Sequence, residues 1–205
     1  MPPRIEVVQG SLTDGDELVL VNASNTNAML GSGVSGAIRR ACGGDAYQQH
    51  LFDELKRQKS GPMFPGDVML TDAGSHPKAK WVAHVAVMDY REGFRGESAP
   101  DLGRIRLGCE RLWDALDTLP ERQLSVAMVA LGTGTGGLGL RDSVKVSAET
   151  LKAHCAIFAA SKIARVRFYG FATQEYVAMA AELMTHFPEV KATLPADVRA
   201  IAERL

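Results

Sequence analysis

The chain has 205 residues, of which 46% are apolar and 23% charged, with 23 Lys and Arg against 24 Asp and Glu. That length is enough for one ordinary domain with a sizeable core, and a composition at the globular average excludes disorder, collagen and coiled coil. A net charge of −1 supplies no basic field, so sequence-independent nucleic-acid binding is not expected.

Strand-like and helix-like segments alternate along the chain. Residues 4–8 alternate polar and apolar, as a half-buried, edge-like strand does, whereas residues 18–21 form a nearly continuous apolar run, as an interior strand does. Asp45 followed by Gln48 has the spacing of a capping box, restarting a helix after Gly43-Gly44. Residues 67–71 and 81–87 read as two further interior strands. Leu102, Ile105, Cys109, Leu112, Leu116 and Leu119 keep three- and four-residue spacing, which predicts a helix with one buried stripe. Residues 125–131 read as another interior strand, followed by a second striped helix through Val144, Ala148, Leu151, Cys155 and Phe158. Residues 165–169 alternate and read as edge-like. Thr173 is a good N-cap for a helix over 174–187, which Pro188 ends. A last amphipathic segment, 195–205, offers Val198, Ile201 and Leu205 to a surface. Turn-rich punctuation is confined to short stretches such as 60–66 and 93–100. The pattern predicts one three-layer α/β/α domain over residues 1–205.

Cys42, Cys109 and Cys155 are odd in number and form no CxxC pair, which suits a reducing cytosol. The start, MPPRIEVVQG, lacks the apolar core of a signal peptide, and the longest apolar run, near 126–131, is far short of a membrane span. A soluble cytoplasmic protein is expected. His50, His76, His84, His154 and His186 fall into no ligand spacing with cysteines or acids, so no metal and no cofactor are expected.

Two glycine loops carry the chemistry. Gly31-Ser32-Gly33-Val34-Ser35-Gly36 and Gly132-Thr133-Gly134-Thr135-Gly136-Gly137 both fit GxGxxG, and each lies after an apolar strand and before a helix. Such loops either make tight turns only or bring backbone N–H groups to phosphate oxygens at a helix N-terminus; two together form a clamp for a diphosphate. A Rossmann dinucleotide site fails on context, since residues 23–30 intervene before the first loop and Asp53 and Glu54 lie in a helical pattern. No Lys-Ser/Thr follows either loop, which excludes a P-loop. Between the strand and the first loop stands the polar run Asn22-Ala23-Ser24-Asn25-Thr26-Asn27, whose amides either cap turns or grip ribose hydroxyls.

These residues resemble a known family. Val21-Asn22-Ala23-Ser24-Asn25, followed by Gly31-Ser32-Gly33-Val34-Ser35-Gly36-Ala37-Ile38, is similar to the VNAAN…GGGV-x-GAI signature of macrodomains. Gly66-Asp67-Val68-Met69-Leu70-Thr71, Trp81-Val82-Ala83-His84 and Ala130-Leu131-Gly132-Thr133-Gly134 resemble their later strands and second phosphate loop. The likeness runs from about residue 5 to 187. It implies a mixed six-stranded sheet between helices and binding of ADP-ribose across the strand ends; some members hydrolyse ADP-ribose from proteins, nucleic acids or O-acetyl-ADP-ribose, and others only read it.

Carried over by position, the resemblance puts Asn25 at the distal ribose, and the backbones of Gly31, Ser32, Gly33 and Val34, with those of Gly132, Thr133, Gly134, Thr135, Gly136 and Gly137, around the diphosphate. Phe171 either lies against the adenine or its ribose or packs in the core, and Ser11 stands where many members carry an acidic residue for the adenine amino group. Ser35 replaces the aspartate of hydrolytic members, Gly136 replaces an aromatic, and Met88-Asp89 stand where a second hydrolytic branch has a lysine. Asn25 and Ser35 are the candidate catalytic residues of an ADP-ribosyl hydrolase, with the substrate phosphate, Ser35 or an acid such as Asp89 left to activate water. The alternative is a reader that binds ADP-ribose or an ADP-ribosylated protein or nucleic acid without turnover. His84 reads as a satisfied core residue, and Trp81 and Tyr90 as packing.

Overall fold

The computed structural model describes every residue except Met1, Phe94, Gly96 and Glu97, so the 93–100 stretch lies partly outside the described residues. Its strands are β1 (Arg4–Gln9), β2 (Val19–Asn25), β3 (Val68–Asp72), β4 (Trp81–Met88), β5 (Leu124–Met128) and β6 (Ile163–Gly170). They form one sheet in the order β1-β6-β5-β2-β4-β3, parallel throughout except for the antiparallel β3–β4 pair. Helices α1 (Gly33–Cys42) and α2 (Asp45–Lys59) cover one face. On the other face lie α3 (Leu102–Asp117), α4 (Leu140–Ile157) and α5 (Thr173–His186), and the chain ends with a 3-10 turn (Pro188–Thr193) and the short α6 (Ala196–Ala202). The mixed six-stranded sheet between helical layers is the expected architecture.

Period-two alternation divides each strand between two cores. Val19 and Val21 of β2, Ala83 and Val85 of β4, and Val126 and Met128 of β5 face the α3–α5 layer. Leu20, Val82, Ala86 and Ala127 face α1 and α2, meeting Ile38 and Leu51. Between α3 and α4, the buried indole of Trp113 donates to Thr150 Oγ1 at 3.0 Å, which satisfies its one polar atom.

Several local expectations are corrected. β6 is interior, between β5 and β1, and β3 joins β1 as an edge strand. The alternation in β6 arises because α1 and α2 do not extend over it. On that open side Arg165 and Arg167 pair with Glu6, Asp16 and Glu17, and Tyr169 donates to Glu17 Oε2 at 3.0 Å. β5 stops at Met128, where the ladder gives way to the loop. Asp45 and Gln48 form no capping box: Gly44 precedes α2, Asp45 pairs with Arg39, and Gln48 reaches a distant loop. Ala172, not Thr173, occupies the N-cap of α5, and the Glu175 carboxylate accepts from the Phe171 and Ala172 amides. Of the apolar residues read into the two buried helical stripes, Leu102 and Phe158 are exposed, and Ile201 and Leu205 of the last segment are exposed as well.

Glu17 is fully buried and relies on Arg167 Nη1 at 2.9 Å. Arg167→Met is expected to lower stability by about 2 kcal/mol, toward the small side for a broken buried pair because the arginine is itself 24% exposed. Urea unfolding checks this, and Glu17→Gln with Arg167→Met should recover part of the loss.

Candidate functional site

Because β1, β6, β5, β2 and β4 run the same way, their C-terminal ends lie along one edge of the sheet, where open α/β sheets place ligands. In spatial order this edge carries Ser11, Phe171, the loop of residues 129–137, the loop of residues 26–32 and Asp89. The structure therefore gathers the predicted ligand residues from four separate stretches, with Asp89 on a fifth.

The first loop is held from within and from below. Asn25 Oδ1 accepts from the Asn27 and Met29 amides, both at 3.1 Å, and Nδ2 donates to the Met29 carbonyl at 2.8 Å. Both acceptor positions of the amide are thereby used and one N–H remains. Ala28 is driven to φ +54°, a conformation costing about 1 kcal/mol. Gln48 holds it there, donating to the Ala28 carbonyl at 3.0 Å and accepting from the Leu30 amide at 2.7 Å. Thr26 joins the loop to β4 and its exit, bonding Met88, Met63 and Tyr90.

The loop delivers α1 with its N-terminus open. Ser32 is the N-cap residue but makes no side-chain cap, and no acidic side chain lies in the first turn. The amides of Gly33, Val34 and Ser35 have no intrahelical acceptor by position, so this end favours an anion. Ser35 does not supply an acid: its hydroxyl donates inward to Asn22 Oδ1 at 2.8 Å. Asn22 in turn bonds His84 Nδ1 at 3.1 Å. Both are fully buried. Burial pushes the His84 imidazole down to about 3, so the ring is neutral.

The second loop turns on its own backbone, with Gly137 N to Gly134 O and Leu138 N to Gly132 O at 3.1 Å. Thr133 Oγ1 donates to the Ala130 carbonyl, and Ser143 Oγ of α4 to the Leu131 carbonyl. A Cβ on Gly136 would stand 2.4 Å from the Gly132 carbonyl and 2.8 Å from the Pro100 ring. The Gly132 carbonyl and Pro100, on the approach to α3, thus leave no room for a side chain at 136.

At the other end, the Ser11 hydroxyl is engaged with Thr13, Oγ to Oγ1 at 2.8 Å. One strand over, Phe171 is 78% exposed, which removes the core-packing alternative. Asp89 is clasped by Arg91, whose hydrogen bonds hold its carboxyl down at about 2, so it is a weak base. Gln48 and Pro100 escaped the sequence reading: the glutamine's signal was absorbed by a local capping pattern, and no spacing rule pairs residue 100 with residue 136. Among the described residues no group of His, Cys, Asp and Glu is arranged to hold a metal, and no helix is long and apolar enough to cross a membrane.

Two outcomes follow from this geometry. Gly136→Ala is expected to lower the melting temperature by several degrees through overpacking of about 1–3 kcal/mol, seen by calorimetry. His84 stays neutral in the folded chain but titrates near 6.5 when unfolded, so its contribution to stability is present above about pH 6.5 and is lost as pH falls toward 3. Denaturant unfolding of His84→Gln between pH 7 and 4 should show a shallower acid decline than the wild type.

Comparison with known proteins agrees with this geometry. The profile of the Macro domain family matches residues 21–147. A protein named O-acetyl-ADP-ribose deacetylase from Enterobacter sp. (strain 638) is 35% identical over 153 residues, 74% of this chain and 78% of that protein. A macro domain-containing protein of Caldanaerobacter subterraneus is 27% identical over 177 residues, 86% of this chain and 93% of that protein. Among solved structures, the Trypanosoma brucei macrodomain in complex with ADP-ribose superposes with a TM-score of 0.70 at 21% identity, covering 89% of this chain and 69% of that one. The Oceanobacillus iheyensis macrodomain with ADP gives 0.72 at 17% identity, covering 90% and 92%. With the family signature spread over β2, α1 and the loop after β5, this chain belongs to the macro domain family.

Proposed function

We propose that this protein binds ADP-ribose across the strand ends and hydrolyses O-acyl esters of it, O-acetyl-ADP-ribose being the substrate class to test first. The observation that carries this reading is the pair of glycine loops on adjacent strands β2 and β5, one of them opening into an uncapped helix N-terminus. The relatives named O-acetyl-ADP-ribose deacetylase support the choice of substrate. Gly31, Ser32, Gly33 and Val34 on one side, and residues 132–137 on the other, hold the diphosphate through their backbones. The remaining N–H of Asn25 Nδ2 meets a hydroxyl of the distal ribose, the exposed Phe171 ring lies against the base or its ribose, and Ser11 stands beside the base.

Hydrolysis adds water to the acyl carbonyl carbon, breaks the ester bond to the ribose oxygen, returns a proton to that oxygen and releases the carboxylate. Asn25 Oδ1 and the Ser35 proton are committed elsewhere, and Asp89 is a poor base. The bound diphosphate is then the acceptor that polarises the water, and turnover is slow. The same commitments favour a second reading, a module that holds ADP-ribose on a protein or nucleic acid without cleaving it. The free thiols of Cys42, Cys109 and Cys155 fit a cytoplasmic location.

Calorimetric titration is expected to show ADP-ribose binding more tightly than AMP or NAD, with stabilisation of about 2.7 kcal/mol at a hundredfold excess over Kd. Asn25→Ala should weaken it about tenfold, through loss of both loop bracing and ribose contact. Acetate release from O-acetyl-ADP-ribose above the uncatalysed rate identifies the enzyme, and binding without release identifies the reader. Absence of both overturns the assignment.

A further inference from the structure

A single line of hydrogen bonds crosses the apolar layer beneath α1 and α2. It begins at Ser35 in the first turn of α1, whose hydroxyl donates to Asn22 Oδ1 at 2.8 Å. Asn22 Nδ2 donates to His84 Nδ1 at 3.1 Å, which places the ring proton on Nε2. That proton points to Thr71 Oγ1 at 3.2 Å, with Tyr47 Oη at 3.4 Å. Thr71 donates to Tyr47 Oη at 2.9 Å, and Tyr47 donates to the Asp72 carbonyl at 3.2 Å. Every donor is spent in one direction, from the glycine loop toward the sheet edge. Asn22 and His84 are fully buried and Thr71 and Tyr47 nearly so, among Leu20, Val82, Ala86, Ile38 and Leu51.

Stability does not require such a line. An apolar filling of similar volume would serve a core as well, whereas a fully satisfied polar chain fixes orientation. What it orients is the N-terminus of α1, which has neither a side-chain cap of its own nor an acidic side chain in its first turn. Ser35 lies on that turn and is tied from behind to Asn22 and to the Ala23 carbonyl of β2.

We propose that Asn22, His84, Thr71 and Tyr47 are positioning residues that act through Ser35, drawing its hydroxyl proton inward and pinning the open first turn of α1 so that its amides are set for a diphosphate. The proposal rests on the ADP-ribose reading and adds to it the part of the core that sets phosphate affinity. It makes Ser35 an anchor of the phosphate loop rather than a base.

The test compares the wild type, Ser35→Ala, Ser35→Thr and Thr71→Val by titration with ADP-ribose and with AMP, which has only one phosphate. The ratio of ADP-ribose to AMP affinity is expected to fall about fivefold in Ser35→Ala and about threefold in Thr71→Val, as loss of one buried hydrogen bond predicts, and to be kept in Ser35→Thr. Nitrogen NMR of the wild type should show His84 with its proton on Nε2, and Ser35→Ala should shift the Nδ1 resonance. Should Thr71→Val fail to fold, Tyr47→Phe removes only the terminal hydroxyl and reads the same chain. An unchanged ratio in Ser35→Ala, or equal loss for both ligands, overturns the proposal while leaving the ADP-ribose reading intact. No binding of ADP-ribose by the wild type overturns both.

Discussion

Strands β1, β6, β5, β2 and β4 leave the hydrogen-bond ladder at the same edge, and each exit strips backbone amides and carbonyls of their partners. Much of what is unusual at this edge answers that constraint. Asn25 and Gln48 satisfy the turn after β2, Thr133 and Ser143 the turn after β5, and Glu175 the exit from β6. These side chains are thereby spent on the protein itself. The first turn of α1 lacks such a cap, and its amides stay open toward the edge.

The resulting site is built of dipoles rather than charges. Its one nearby carboxylate beyond β4, Asp89, is neutralised by Arg91, and the buried imidazole of His84 is uncharged at ordinary pH. In the proposed binding mode, backbone amides fixed by packing hold an anion without a counter-charge, and the rigidity of the loops takes the place of attraction at long range. A site of that kind would select a ligand by the spacing of its phosphates more than by field strength.

Much of this was legible in the sequence. Apolar runs located the strands, and glycines at their ends located both loops. Charge alternation in β6 was real but misled, because Arg165 and Arg167 face an ion-paired surface that the helices leave uncovered, and periodicity alone does not tell that surface from a sheet edge. Gln48 sits at a spacing that local rules assign to a cap, while its partners lie about twenty residues away. Phe171 had two readings that only burial could separate. The hydrogen-bond direction at Ser35 depends on four residues from four elements, and no single-sequence pattern carries that information.

The contact between Gly136 and the Pro100 ring has an evolutionary consequence. A bulky residue at 136 is admissible only where the turn that carries the Gly132 carbonyl has been re-routed and the 100 side chain reduced, whereas a change at 100 is free to come first. Glycine in this loop is therefore kept by a steric lock made of the loop's own backbone together with a ring outside it, and a change at 100 alone does not release it.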